Sequence, residues 1–196
     1  MRLGEWRHIC VDVQHMFARD TPWHLPWMKK ALPTIVSIAE ASPRRTLFTR
    51  FIPPPTADAA VGAWKDYYRR WWMMTGEHLP DEMVQLVPEL KALVPPARVI
   101  DKPVYSPWLN PTLATLLSRE QVETLVVTGG ETDVCVMATV LGAIDHGFHV
   151  ILVTDAVCSG LDETHDASLA LLGKRFSAQM TTLSADELLS AIADKG

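Results

Sequence analysis

The sequence predicts an α/β fold in which a parallel sheet is covered by helices on both faces. Short runs rich in β-branched residues alternate with stretches of helical period along the chain. Those runs are apolar at successive positions, as strands buried on both faces must be. No internal repeat or low-complexity segment breaks the alternation, so the layers belong to one unit. At 196 residues the chain has the length of a single domain, residues 1–196. A domain of roughly this size buries on the order of 70% of its unfolded surface and needs no disulfide or metal staple.

Strands are expected near His8–Val13, Thr46–Phe51, Ala97–Asp101, Thr124–Thr128, Val150–Thr154 and Ala178–Leu183. Helices are expected near Pro26–Glu40, Ala57–Thr75, Pro111–Ser118, Asp133–His146 and Asp162–Lys174, with a last one from Ala185. Asn110 before Pro111 makes an N-cap and first-turn pair. Ser184 with Glu187 forms a capping box, and Gly147 suits the position after a helix end. The three prolines at 53–55 read as a rigid loop, because the alternation continues across them. Within 64–74, Trp64, Tyr67, Tyr68, Trp71 and Trp72 fall on one face of a continuous helix. Such a stripe fits a bulky core or subunit-contact helix, and one or two of its rings, Trp71 and Trp72, are candidates to close over a substrate.

Composition is ordinary for a globular chain, with 48% hydrophobic and 21% charged residues. The 18 basic and 23 acidic residues leave a net charge of −5, without a block of like charge. That argues against nucleic acid or an anionic membrane as the main partner. The three cysteines are widely spaced with no CxxC pair, unlike a secreted disulfide framework or a zinc ribbon. The start lacks a signal peptide's apolar stretch, and no run approaches the ~18 apolar residues of a membrane span. A cytoplasmic setting is the expectation.

In a parallel sheet, ligands bind at the carboxyl ends of the strands. The first expected strand ends at Asp12, followed by Gln14; the third runs into Lys102; the fourth leads through Glu131 to Cys135. Taken singly, Asp12 reads as a helix cap, Lys102 as solvated, and Cys10 and Cys158 as small core residues. Together an acid, an amine and a thiol stand at one edge. A cysteine in a first helical turn beside an ammonium favours the thiolate. Asp12 can take a thiol proton and return it to a leaving group.

The motifs Asp12-Val13-Gln14-x-x-Phe17, Lys102 with Tyr105-Ser106-Pro107-Trp108, Gly130-Glu131-Thr132-Asp133-Val134-Cys135-Val136 and Asp155-Ala156 resemble the isochorismatase-like cysteine hydrolases, in order and over nearly the whole chain. The resemblance implies a three-layer, Rossmann-like fold with a six-stranded parallel sheet, and an Asp-Lys-Cys triad at Asp12, Lys102 and Cys135. It further implies an oxyanion hole from the Glu131 and Cys135 amides, with a cis peptide mapping to Gly130–Glu131. Homodimers or homotetramers are common among such proteins.

Nicotinamidases of this kind carry an Asp-x-His metal pair after the second strand. Here Thr49-Arg50-Phe51-Ile52-Pro53 stands instead, so neither metal nor other cofactor is expected. Gln14, Phe17 and Trp108 are candidate substrate contacts; for Gln14 a structural hydrogen bond is an equal reading. The function expected is cleavage of a C–N bond in a small amide, ureide or carbamoyl compound through a Cys135 thioester. Vinyl-ether hydrolysis of the isochorismatase type and a non-catalytic binding protein are the rivals.

Overall fold

The computed structural model describes residues 3–193. Strands β1 (Trp6–Val11), β2 (Thr46–Phe51), β3 (Arg98–Lys102), β4 (Thr124–Gly130), β5 (His149–Cys158) and β6 (Met180–Leu183) form one six-stranded sheet in the order β3-β2-β1-β4-β5-β6. Every neighbouring pair is parallel. The α-helices are α1 (His15–Ala18), α2 (Met28–Ala41), α3 (Trp64–Arg70), α4 (Pro88–Lys91), α5 (Pro111–Arg119), α6 (Met137–Asp145), α7 (Asp162–Arg175) and α8 (Ala185–Ala193). This is the three-layer α/β arrangement that the alternation predicts.

The pleat sends successive side chains to opposite faces. Ile9 and Val11 of β1 join Leu113, Val140 and Leu172, from α5, α6 and α7, in one core. Cys10 joins Ile35, Ile38 and Leu188, from α2 and α8, in the other. Burial on both faces is why the strands read as continuous apolar runs.

The expected bounds of β2 are those found. β5, expected to end at Thr154, runs on to Cys158 because the register shifts between Val127 and Gly129 and pairing resumes at Gly129↔Val157 and Gly130↔Cys158. Gly129 makes this possible: its φ is +106°, and a Cβ there would lie 2.1 Å from the Val11 carbonyl oxygen. Any other side chain would force β1 and β4 apart.

The helix expected over 57–75 is broken. A 3₁₀ turn at Ala57–Ala59 precedes α3, which ends at Arg70; Trp71 leaves helical geometry (φ −107°, ψ 42°), and a second 3₁₀ turn spans Trp72–Met74. Gly62, with φ +57°, delays the start. The far end is drawn back onto the proline run, where Gly76 N–H donates to the Pro54 carbonyl and Glu77 N–H to that of Pro55, both at 2.9 Å. Among the described residues no helix is long and apolar enough to cross a membrane.

Candidate active site

The strand order reverses between β1 and β4, and the crevice above that point is where an open α/β sheet binds ligands. The chain leaving β1 enters it at Asp12, which holds a left-handed φ of +52°. This conformation costs a non-glycine residue about 1–2 kcal/mol. The strain aims the carboxylate sideways, into the sheet edge. There Thr49 Oγ1 of β2 donates to Asp12 Oδ1 at 2.6 Å and accepts from the Asp12 N–H at 3.2 Å.

Lys102 is the last residue of β3, two strands away from β1. Two strand spacings are about 9–10 Å, a gap only a long side chain can bridge. Lys102 does so over the ring of Phe51, with Nζ 5.0 Å from the centroid. Its ammonium ends 2.6 Å from Asp12 Oδ2, 3.1 Å from the Val104 carbonyl oxygen and 3.5 Å from Cys135 Sγ. Three donors meet three partners. Asp12, Lys102 and Cys135 are all buried.

Cys135 sits in a π-helical turn, Thr132–Val136, that links β4 to α6. The Glu131 carbonyl accepts from the N–H groups of Val134 and Val136, and the Gly130–Glu131 peptide is cis. Ser159, beyond β5, donates to Asp133, and His165 Nδ1 lies 2.9 Å from Thr132 Oγ1. The turn that carries the thiol is thus tied to the loop and helix following β5.

Charge and burial compete at this cluster. Burial works against the Lys102 ammonium, but Asp12 beside it holds the pKa above its ordinary value, so Lys102 stays charged. Burial, then the Asp12 charge, push the Cys135 thiol well above its usual range, with Lys102 opposing. This corrects the expectation of a resting thiolate: the helix start and the ammonium do not offset the loss of water. Burial therefore favours the protonated thiol, which stands beside the Asp12–Lys102 pair.

A cavity of about 420 Å³ opens onto Cys135 and Glu131. Phe17, Trp23, Phe51, Tyr67, Trp71 and Tyr105 supply aromatic walls, so Phe17 and Trp71 of the expected contacts face it. Trp72 does not; it is 52% exposed and packs edge-on against His78, because α3 has ended two residues earlier, at Arg70. Trp108 lies on the opposite side of the sheet, its Nε1 donating to the Thr139 carbonyl at 2.9 Å. Its ring fills the space where Gly142 lacks a Cβ, so it is a packing residue. Gln14 is also structural: its amide donates to the carbonyls of Phe51 and Val84 and accepts from the Phe51 N–H. Among the described residues no group of three or more His, Cys, Asp or Glu side chains is placed to hold a metal ion.

Sequence reasoning missed Thr49, Trp23, Tyr67 and Tyr105 as site residues. The hydroxyl of Thr49 near the carboxyl end of β2 was a readable signal; the direction of the three rings was not.

The Isochorismatase domain matches residues 8–184 of this chain. The chain belongs to the isochorismatase family. Its relatives include maleamate amidohydrolase of Pseudomonas putida, 28% identical over 149 residues, 74% of this chain and 65% of that protein. The chain therefore spans just under two thirds of that relative's length. Among solved structures, a cysteine hydrolase from Pseudomonas syringae superposes with a TM-score of 0.82 at 20% identity, covering 97% of this chain and 93% of the other. N-carbamoylsarcosine amidase from Thermoplasma acidophilum gives 0.74 at 20% identity, covering 93% and 98%. Both likenesses establish the shared fold.

Proposed function

We propose that this isochorismatase-family protein is a cysteine hydrolase that cleaves the C–N bond of a small amide, ureide or carbamoyl compound, with Asp12, Lys102 and Cys135 as its catalytic triad. The observation that carries the reading is the single ammonium bridging a buried carboxylate and a buried thiol at the floor of a cavity. The amidase and amidohydrolase names of two relatives support it.

In this mechanism the substrate carbonyl lies over Cys135. As the Sγ–C bond forms, the thiol proton passes to the Asp12 carboxylate, so no thiolate need exist beforehand. Charge collecting on the carbonyl oxygen meets the amides of Cys135 and Glu131. Asp12 then gives its proton to the departing nitrogen, the C–N bond breaks, and ammonia or an amine leaves a thioester on Cys135. Water attacks the thioester with Asp12 as general base, and the proton returns to sulfur. Lys102 holds Asp12 in place between these transfers.

The test is a screen of amides, ureides and carbamoyl compounds for ammonia release. Substrates giving turnover should leave an acyl group on Cys135 when quenched and mapped by mass spectrometry. A turnover whose acyl adduct maps to another residue would overturn the assignment.

A further inference from the structure

The cavity over Cys135 has an unusual balance of lining groups. Its aromatic walls are contiguous: Trp23 stacks on Phe17 with centroids 6.3 Å apart and meets Phe51 and Tyr67 at 5.8 and 5.9 Å. Tyr105 lies flat against Phe51 at 6.5 Å. Set among these rings is one carboxyl group, that of Glu131. Glu131 Oε1 lies 3.7 Å from the point where Gly160 would carry a Cβ, on the part of the wall formed by the chain after β5. Among the described residues the Glu131 side chain makes no hydrogen bond or salt bridge. Among the described residues no lysine or arginine lines the cavity, and the only basic side chain on it is that of His24. Lys102, below the floor, is committed to Asp12.

We propose that the cavity selects an amide whose other end carries a positive charge, a quaternary or protonated amine, held by Glu131 and by the faces of the surrounding rings. Aromatic faces attract cations through the ring quadrupole, more strongly where water is excluded. A carboxylate without a partner supplies the counter-charge. Burial first, then the charges of Asp133 and Asp12, raise the Glu131 carboxyl to about 7. Above that pH the side chain carries its charge at a cost in lost hydration, which a bound cation would relieve. A carboxylate-bearing substrate finds no basic partner on these walls and meets Glu131 instead. This inference deepens the amide hydrolase reading and rests on it for the identity of the scissile bond, but the binding preference stands apart from turnover.

Three probe amides of similar size separate the possibilities: trimethylammonioacetamide, its uncharged carbon isostere 3,3-dimethylbutanamide, and the carboxylate succinamate. Their binding to Cys135→Ala at pH 8 is read by tryptophan fluorescence, since Trp23 and Trp71 line the cavity. The cationic amide should bind about tenfold or more tighter than its carbon isostere, with succinamate weakest. Glu131→Gln, made in the same background, keeps the backbone amide and should remove most of that preference. Equal binding of the charged and uncharged isosteres, or tighter binding of succinamate, overturns the proposal. So does an undiminished preference in the Gln variant. Ammonia release by the otherwise unaltered protein is measured in parallel. A cation preference in binding without hydrolysis of any amide would refute the amidase reading while leaving the cation site in place. Hydrolysis with preference for the neutral isostere would do the reverse.

Discussion

At the residue scale the proposed chemistry depends on how Asp12 is held. One carboxylate oxygen faces Lys102 and the other accepts from Thr49 Oγ1 at 2.6 Å, so its position is over-determined. Thr49→Val keeps the shape of the side chain and removes the donor. Stability should fall by about 1–3 kcal/mol, the cost of leaving a buried acceptor short of a partner, as read by urea unfolding. The value of kcat/KM should fall about tenfold, with recovery in Thr49→Ser. Equal activity in the Val variant would mean that Lys102 alone positions the carboxylate. The cysteines give a second prediction. Burial raises Cys10 and Cys158 to about 12, and neither lines the cavity, whereas Cys135 does. Iodoacetamide should therefore label Cys135 first, slowly near neutrality and faster as pH rises, by peptide mass spectrometry. Rapid labelling at pH 7 would point to a thiolate that the surroundings disfavour.

At the element scale, the sheet was legible and the insertion between β2 and β3 was not. Strands buried on both faces announce themselves by apolar content, and β2 has the bounds that its sequence predicts. The spacing of Trp64 through Trp72 looked like one helical face, but periodicity does not register Gly62 in a left-handed conformation or backbone bonds from Gly76 and Glu77 to distant prolines. Helices as short as α1 and α4 also lack the length for a period to emerge. Asp12, Lys102 and Cys135 could be read because strand ends are positions in the fold; Trp108 could not, because a loop's side of the sheet is fixed by packing against Gly142. The broken helix packs Trp64, Tyr67 and Tyr68 on Trp23, Phe51 and Tyr105 within the chain. It divides Trp71 from Trp72. Trp71→Ala, opening one cavity wall, should raise KM about tenfold through lost apolar contact. Trp72→Ala should stay within about threefold of the parent KM, since its ring lies outside the cavity. Equal effects would restore the continuous stripe.

For the whole molecule, the buried His8 and the partly buried Glu131 give the acid side of the stability profile opposing slopes. His8, buried between Thr46 and Thr128, is lowered by burial to about 3. Between pH 3 and 6.5 the unfolded chain binds a proton there that the folded chain refuses, so this group makes stability rise with pH. Glu131 is raised by burial from 4.5 to about 7, so across that interval the folded chain holds the extra proton and stability falls with pH. The two nearly cancel from about 4.5 to 6.5. Glu131→Gln removes one of them, and urea unfolding at pH 5 and 6 should find its stability rising by about 1 kcal/mol more per pH unit than the parent's. Parallel profiles would mean that Glu131 titrates normally. Asp12, Lys102 and Cys135 meet at the carboxyl ends of the parallel strands, and the proposed function requires that the three perform one reaction. Its most direct measurement is ammonia release from the best amide found, compared between the parent protein, Cys135→Ala and Asp12→Asn at matched folded concentration. Each variant should lose at least about a thousandfold in kcat. Parental turnover by Cys135→Ala would contradict it.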